Sequence, residues 1–413
     1  MMSIHGILSN GNWQEMLDGI LSEEGLHHRE FKYGFTIRFD PLKINKIVDK
    51  FRAWYFRICN DGRYELDIRE PFHRPSIVAH SLGTWILAKA MQKYPEIKFD
   101  KIFLHGAIIP KTYDWYKLIL NDQIGKVVLE RANKDYVIPW SFFITGSMRP
   151  CSSHGFLQES SYIKIEPFPN FGHSDFQYPD HFKSIVAKHL YEVPVQLKLQ
   201  HGKELDMKVM NKYFKRSEKI DTEVYGKVYT DSNPVTLERA QEWAAIEKNI
   251  WSFLIHSYTK EVIGYINVLA LDNETHARFL KGEISENDIS GDQIKSFDIV
   301  GGLNLVVMSI ALDKKIREGK GDVMTSKAGE FLIMALSKKI LDISNNGKKI
   351  NSLTSVAWTT VGGNLSKSFG LKKTAFVYNS CPIYSINLND LKNRIDDDIR
   401  PLARWWINQV QNN

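Results

Sequence analysis

From the start of the chain to about residue 195, short apolar runs alternate with stretches of helical periodicity. "FTIRF" (35–39), "SIVAH" (76–80), "KIFLHGAI" (101–108), "KVVLERA" (126–132) and "YIKIEPF" (162–168) read as strands. "GTWILAKAMQKY" (83–94) places Ile86, Leu87, Ala90 and Met91 on one face, the pattern of an amphipathic helix. This alternation predicts a mostly parallel sheet with helices on both faces.

The texture changes at 194–232, a polar and charged stretch bracketed by Pro194 and Pro234. Beyond it a helix at 235–247 leads into "WSFLIHS" and "VIGYINVLAL", separated by the turn "YTKE". That is an antiparallel pair, not a βαβ unit. A strand at 303–312, a helix at 327–343, a strand at 352–358, a short helix near 363–369 and the runs "AFVYN" and "PIYSINL" follow, which is an α+β order. The expected organisation is an α/β domain over 1–196, a linker and helix over 197–214, and an α+β domain over 215–413.

Composition changes this picture little. With 413 residues, 43% hydrophobic and 25% charged, each half can bury a core of its own. The net charge of +6 is spread out, and the tract Lys208–Arg216 reads as a solvated helix face, so no nucleic-acid partner is expected. Three cysteines without CxxC spacing argue against a disulfide framework and a structural zinc site. His27, His28, His73, His154 and His181 lack ligand spacing with Cys or carboxylates, so no metal site is expected. The first residues lack a basic and an apolar leader region, and no apolar run of about 18 residues occurs. A cytoplasmic protein without a membrane span is the expectation.

The candidate chemistry of the first half centres on "IVAHSLGTW" (77–85), an apolar strand entering a helix through a serine. A nucleophile elbow is so tight that the residues two before and two after the serine must be small, usually glycine as G-x-S-x-G. Ala79 and Gly83 meet that need around Ser81. Alone, the stretch also fits an ordinary strand-to-helix turn. Three further features point the same way. "IHGILSNGNW" (4–13) ends an apolar strand at His5-Gly6 in a loop able to offer backbone N–H groups to an oxyanion. Asp135 follows the strand at 126–132, and His173 lies in the loop "FPNFGHSDF" after the strand at 162–168.

The order Ser…Asp…His, each after a successive strand, resembles the α/β-hydrolases. The resemblance covers 1–193 and implies a compact parallel-sheet fold and acyl-bond hydrolysis without a cofactor. It implies Ser81 as nucleophile, His173 as base and Asp135 as its partner, with the N–H of Leu82 and the loop at Gly6 and Ile7 binding the oxyanion. Asp175 and Asp122 compete for the acid's role, but Asp175 is too near His173 in sequence for easy triad geometry. Only about fifteen residues (111–125) stand where a lid is usually inserted, which suggests an open site and leaves room for a protein partner. Tyr113, Trp115, Trp140 and Phe156 are candidate pocket walls, with core packing as the plainer role of each.

The second half, over roughly 215–390, resembles the GNAT acyltransferases through "EVIGYINV", "LNLVVMSIALD" and "TTVGGNLSKSFGLKKTA". The resemblance implies that the loop after the 303–312 strand, with Arg317, Gly319 and Gly321, holds the pyrophosphate of acetyl-CoA or another acyl-CoA. The loop departs from the family pattern. Its glycine spacing is one residue short, Asp322 follows Gly321, and extra residues separate it from the next helix. A plain surface loop is the alternative. Ser309 and Asn364 are the candidates for acylation chemistry, and His256 reads as a packed residue.

The leading expectation is a serine hydrolase acting on an ester, thioester or other acyl bond of a small-molecule or acylated substrate, fused to an acyltransferase-like domain. Two alternatives stand beside it. One is an acyl-CoA-dependent N-acetyltransferase with the first half as recognition module. The other is a partner-controlled prokaryotic toxin or anti-phage defence effector.

Overall fold

The computed structural model describes residues 1–6, 12–33, 41–64, 66–69, 73–135, 151–158, 160–192, 197–230, 235–257, 259–299, 301–319, 327–345, 348–388, 406, 407 and 410. The chain divides into two compact units, Met1–Gln196 and Leu197–Asn413.

The first unit is built on six strands: β1 (Met2–Ile4), β2 (Arg29–Phe31), β3 (Ile77–His80), β4 (Phe99–His105), β5 (Ile124–Ala132) and β6 (Ile163–Phe168). They lie in the order β2-β1-β3-β4-β5-β6, and every pairing is parallel. The central strands bury both faces, which is why β3 reads as the unbroken apolar run Ile77-Val78-Ala79. Register puts Val78 beside Phe103 and Phe103 beside Val128. On that face they pack with Trp13, Leu17, Ile20 and Leu21 of the helix Asn12–Glu23 and with Phe182 of the helix Pro179–Ile185. The helix Pro41–Cys59 packs against the helix Leu82–Lys93 that follows β3.

Two differences from the sequence reading concern strands. The run 35–39 lies outside the described residues, and Arg29–Phe31 forms the edge strand β2 instead. Residues 197–214, expected as linker and helix, begin with a strand, β7 (Leu197–His201), before the helix Met207–Thr230. Leu197 and Leu199 are buried while Lys198 is exposed. That is a half-buried edge strand, and its polar alternate positions, Lys198 and Gln200, gave it the look of a linker.

The second unit continues with β8 (Trp251–His256), β9 (Val262–Leu271), β10 (Gly302–Leu312), β11 (Lys349–Val356), β12 (Lys372–Tyr378) and β13 (Cys381–Asn387). The sheet runs β12-β13-β11-β10-β9-β8-β7. Among the described strands of this sheet, only β10 and β11 pair in parallel, joined through the helix Ala328–Asn345. Their pairing ends at Val307 and Ser355, while β10 runs on to Leu312 beside β9 through an irregularity between Val307 and Ser309. A cleft of about 660 Å3 lies there, lined by both strands, by the helix Ala328–Asn345 and by the helix Thr360–Ser368. Among the described residues, no helix is long and apolar enough to cross a membrane.

Candidate active site

In the first unit the chain goes from β1 outward to β2 and returns on the other side of β1 as β3. In a doubly wound sheet, the crevice outside the strand ends at such a reversal is where ligands bind. Gly6 and Ser81 follow the two strands that flank this crevice.

Ser81 has φ 52° and ψ −123°, a conformation that side-chain-bearing residues rarely adopt. Holding a non-glycine residue there costs about 1–3 kcal/mol. The surroundings enforce it: the Ser81 N–H donates to the His105 carbonyl at 3.1 Å, and Thr84 returns its N–H and its hydroxyl to the Ser81 carbonyl at 2.9 and 2.6 Å. The smallness that the sequence showed has a visible reason on one side. A Cβ at Gly83 would stand 2.7 Å from the carbonyl oxygens of both Ile4 and His5, so the helix can approach β1 only as glycine. A Cβ at Gly6 would fall 2.7 Å from the Ser81 Cβ. Ala79 is wholly buried, its methyl accommodated.

The Ser81 Oγ lies 2.9 Å from His173 Nε2. On the other side of the ring, His173 Nδ1 lies 2.9 and 3.0 Å from the two carboxylate oxygens of Asp135. The Asp135 side chain is fully buried, and its Oδ2 also accepts the Ser152 hydroxyl at 3.1 Å. A carboxylate on Nδ1 fixes the tautomer that leaves Nε2 as acceptor for the serine proton. The competing acids are engaged elsewhere. Asp175 accepts the Gly172 N–H at 2.7 Å, and Asp122 pairs with Arg74 and Lys98.

Two positioning groups carried no signal in the sequence. The buried His80 sits next to Ser81, and its Nε2 donates to the His173 carbonyl at 3.1 Å. Gln177 Nε2 donates to its other nitrogen at 3.3 Å. Burial first, and then the neighbouring His173, push His80 down to about 3, so it stays a neutral donor to that carbonyl. Gly106, at φ 49°, is the second. A Cβ there would lie 2.8 Å from the His173 carbonyl oxygen and 3.0 Å from its Nδ1. The loop that carries His173 therefore lies directly on the end of β4.

The expected oxyanion donors are placed in part. Leu82 opens the helix Leu82–Lys93, whose first N–H groups have no carbonyl partner within the helix. Gly6 touches Ser81, and His5 before it is held by a stack on Tyr33 at 4.3 Å and by the Tyr33 hydroxyl donating to the His5 carbonyl. Ile7 and Trp140 lie outside the described residues. Tyr113, Trp115 and Phe156, expected as pocket walls, are instead buried against one another, with centroids 4.6 and 5.4 Å apart and the Tyr113 hydroxyl on the Ala88 carbonyl. The aromatic area is spent on core packing.

His181, which lacks ligand spacing in the sequence, meets Glu130 and His105 in the interior. Glu130 Oε2 is 3.0 Å from His105 Nδ1 and 2.5 Å from His181 Nε2. Burial pushes the Glu130 carboxyl up, but the two imidazoles outweigh it and hold it below its usual value. The three could converge on a cation. Yet separations of 2.5 and 3.0 Å are those of direct hydrogen bonds, and the trio staples the helix after the His173 loop to β4 and β5.

In the second unit Arg317 ends the short helix Lys314–Arg317 and lines the 660 Å3 cleft, and Gly319 follows at φ 69°. Gly321 and the rest of that loop to Ser326 lie outside the described residues. Asn364 also lines the cleft. Ser309 lies instead on a smaller cavity beyond β10. His256 is buried at the end of β8, as packing predicts.

Solved structures described as an α/β hydrolase and as acetyltransferases are among those this chain is similar to. A Xanthomonas campestris protein described as a hydrolase of the α/β superfamily is 14% identical, with 46% of this chain and 98% of that one covered and a TM-score of 0.29. Mosquito arylalkylamine N-acetyltransferase like 5b is 12% identical over 46% of this chain and 99% of its own, with a TM-score of 0.30. A histone acetyltransferase HPA2-related protein from Corynebacterium glutamicum is 10% identical over 46% and 94%, with a TM-score of 0.28. No protein-family model and no curated protein matches the chain. At such scores the chemistry rests on this chain's own residues.

Proposed function

We propose that the first unit is a serine hydrolase that cleaves an ester, thioester or other acyl bond. The observation that carries this is the hydrogen-bonded line Ser81–His173–Asp135 at 2.9 Å and 2.9 Å on a strained turn. His173 Nε2 takes the Ser81 proton as Oγ attacks the acyl carbonyl, forming the C–O bond of a tetrahedral intermediate. The Leu82 N–H, joined by the backbone at Gly6, receives the developing oxyanion. His173 then gives its proton to the leaving alcohol, thiol or amine. Water, deprotonated by the same imidazole, cleaves the acyl-enzyme and regenerates Ser81. Asp135 stays ionised throughout and stabilises the imidazolium.

The test is treatment of the full chain with a fluorophosphonate, followed by mapping of the modified residue by mass spectrometry. Stoichiometric modification at Ser81 is expected. A folded protein that takes up no label would sink the proposal.

The cleft of the second unit favours a companion reading, in which that unit holds an acyl-CoA. Val307, Ile310, Leu332, Leu336 and Leu353 give the cleft an apolar wall suited to a chain of methylenes, with the cation Arg317 at its lining. Acyl-CoA would supply an activated thioester there. Saturable heat on titration with acetyl-CoA is expected, and no heat from folded protein would reduce this unit to a scaffold.

A further inference from the structure

Glu130 sits inside β5 with its side chain 1% exposed, where burial works against a charge. The two imidazoles outweigh burial and keep the carboxyl ionised. Both reach the same oxygen, Oε2, while Oε1 has no hydrogen-bond partner among the described residues. A buried ion pair is a weak source of stability, because apolar side chains of similar volume often hold such a place as well. What a hydrogen-bonded charge adds is fixed geometry, and the neighbours of these three residues show what is fixed.

Each of them is tied to a different member of the Ser81–His173–Asp135 line. His105 ends β4. Its carbonyl accepts the Ser81 N–H at 3.1 Å, and Gly106 after it lies against the His173 carbonyl. Glu130 belongs to β5, the strand that leads to Asp135. His181 belongs to the helix Pro179–Ile185, which follows the His173 loop. Its ring packs on Phe171 at 5.4 Å and on Phe176 at 5.7 Å, centroid to centroid. These two phenylalanines stand two residues before and three residues after His173. Both arms of the loop that carries the base therefore close on one imidazole, and Glu130 pins that imidazole to the sheet.

We infer that Glu130 and His181 are positioning residues of the hydrolytic site: the carboxylate pins the imidazole, and the pinned ring sets the loop that places His173 between Ser81 and Asp135. The inference rests on the hydrolase reading. Neither residue takes a proton in the reaction; both act through His173. The His173 ring is in hydrogen-bond contact on both sides, at 2.9 Å to Ser81 and 2.9 Å to Asp135. A displacement of about 1 Å breaks such an alignment and costs about a hundredfold in rate.

The second-order rate constant for fluorophosphonate labelling of the full chain tests it, beside a thermal melt of each variant. Glu130→Met keeps the volume and removes the acceptor. His181→Phe keeps a ring against Phe171 and Phe176 and removes the donor. Each should slow labelling by between roughly tenfold and a hundredfold. The double variant should be no slower than the singles, because both break the same link. It also leaves no unpaired buried carboxylate, so it serves should His181→Phe alone fail to fold. Glu130→Gln should label at the wild-type rate, since one amide oxygen can receive both imidazole N–H groups as Oε2 does. A folded double variant that labels as fast as wild type overturns the inference. So does Glu130→Gln labelling as slowly as Glu130→Met, or losses that multiply in the double variant. In each of these cases wild type still labels at Ser81 and the hydrolase proposal stands. A folded wild-type chain that takes no label sinks both.

Discussion

Ser81→Ala is expected to abolish fluorophosphonate labelling and to lower ester hydrolysis by about a millionfold, the loss seen when a triad nucleophile is removed. The fold should survive. Alanine is strained at φ 52° to much the same degree as serine, and the backbone bonds to His105 and Thr84 that hold the turn do not involve the hydroxyl. Among the described residues, the bond deleted is the one from Oγ to His173 Nε2. Equal melting temperatures with activity gone would place the effect in chemistry. Retained labelling at another residue would show that Ser81 is a turn residue and the hydrolytic site lies elsewhere.

Asp135→Asn is expected to slow labelling by about 10^4-fold with little change in stability. The substitution keeps shape and volume inside a pocket where the side chain is fully buried. Its effect comes from hydrogens. The carboxylate accepts from His173 Nδ1 and from Ser152, while an amide has one oxygen and one NH2. With the Ser152 hydroxyl donating to that oxygen, the NH2 faces Nδ1, and the imidazole proton moves to Nε2. A protonated Nε2 cannot take the serine proton. The readout is the second-order rate constant for labelling, beside a thermal melt. A variant that labels as fast as wild type would remove Asp135 from the triad, even though Asp175 and Asp122 are already held by Gly172 and by Arg74 and Lys98.

Much of the candidate site was readable because its parts are local. Each of Ser81, Asp135 and His173 follows an apolar run, and each run ends in turn residues. The helix Asn12–Glu23 carries the same kind of local signal in Trp13, Leu17, Ile20 and Leu21 at helical spacing, though it is not among the elements expected from the sequence. Strand β7 carried a period-two signal in Leu197 and Leu199 that its charged neighbours obscured. His80 and Gly106 were another matter. They act on His173 from far away in sequence, and nothing near them announces that contact.

The sequence by itself determined the strand and helix that flank Ser81, the smallness around that serine, and the succession of serine, carboxylate and imidazole along the chain. These follow from side-chain period and turn chemistry, which act over a few residues. Only the tertiary structure decided that β1 and β3 are neighbours, so that Gly6 touches Ser81 at the crevice, and that Trp115 and Phe156 fill a core rather than a pocket. Sheet register and helix packing set these neighbours, through contacts between segments tens of residues apart whose pairing no local pattern encodes.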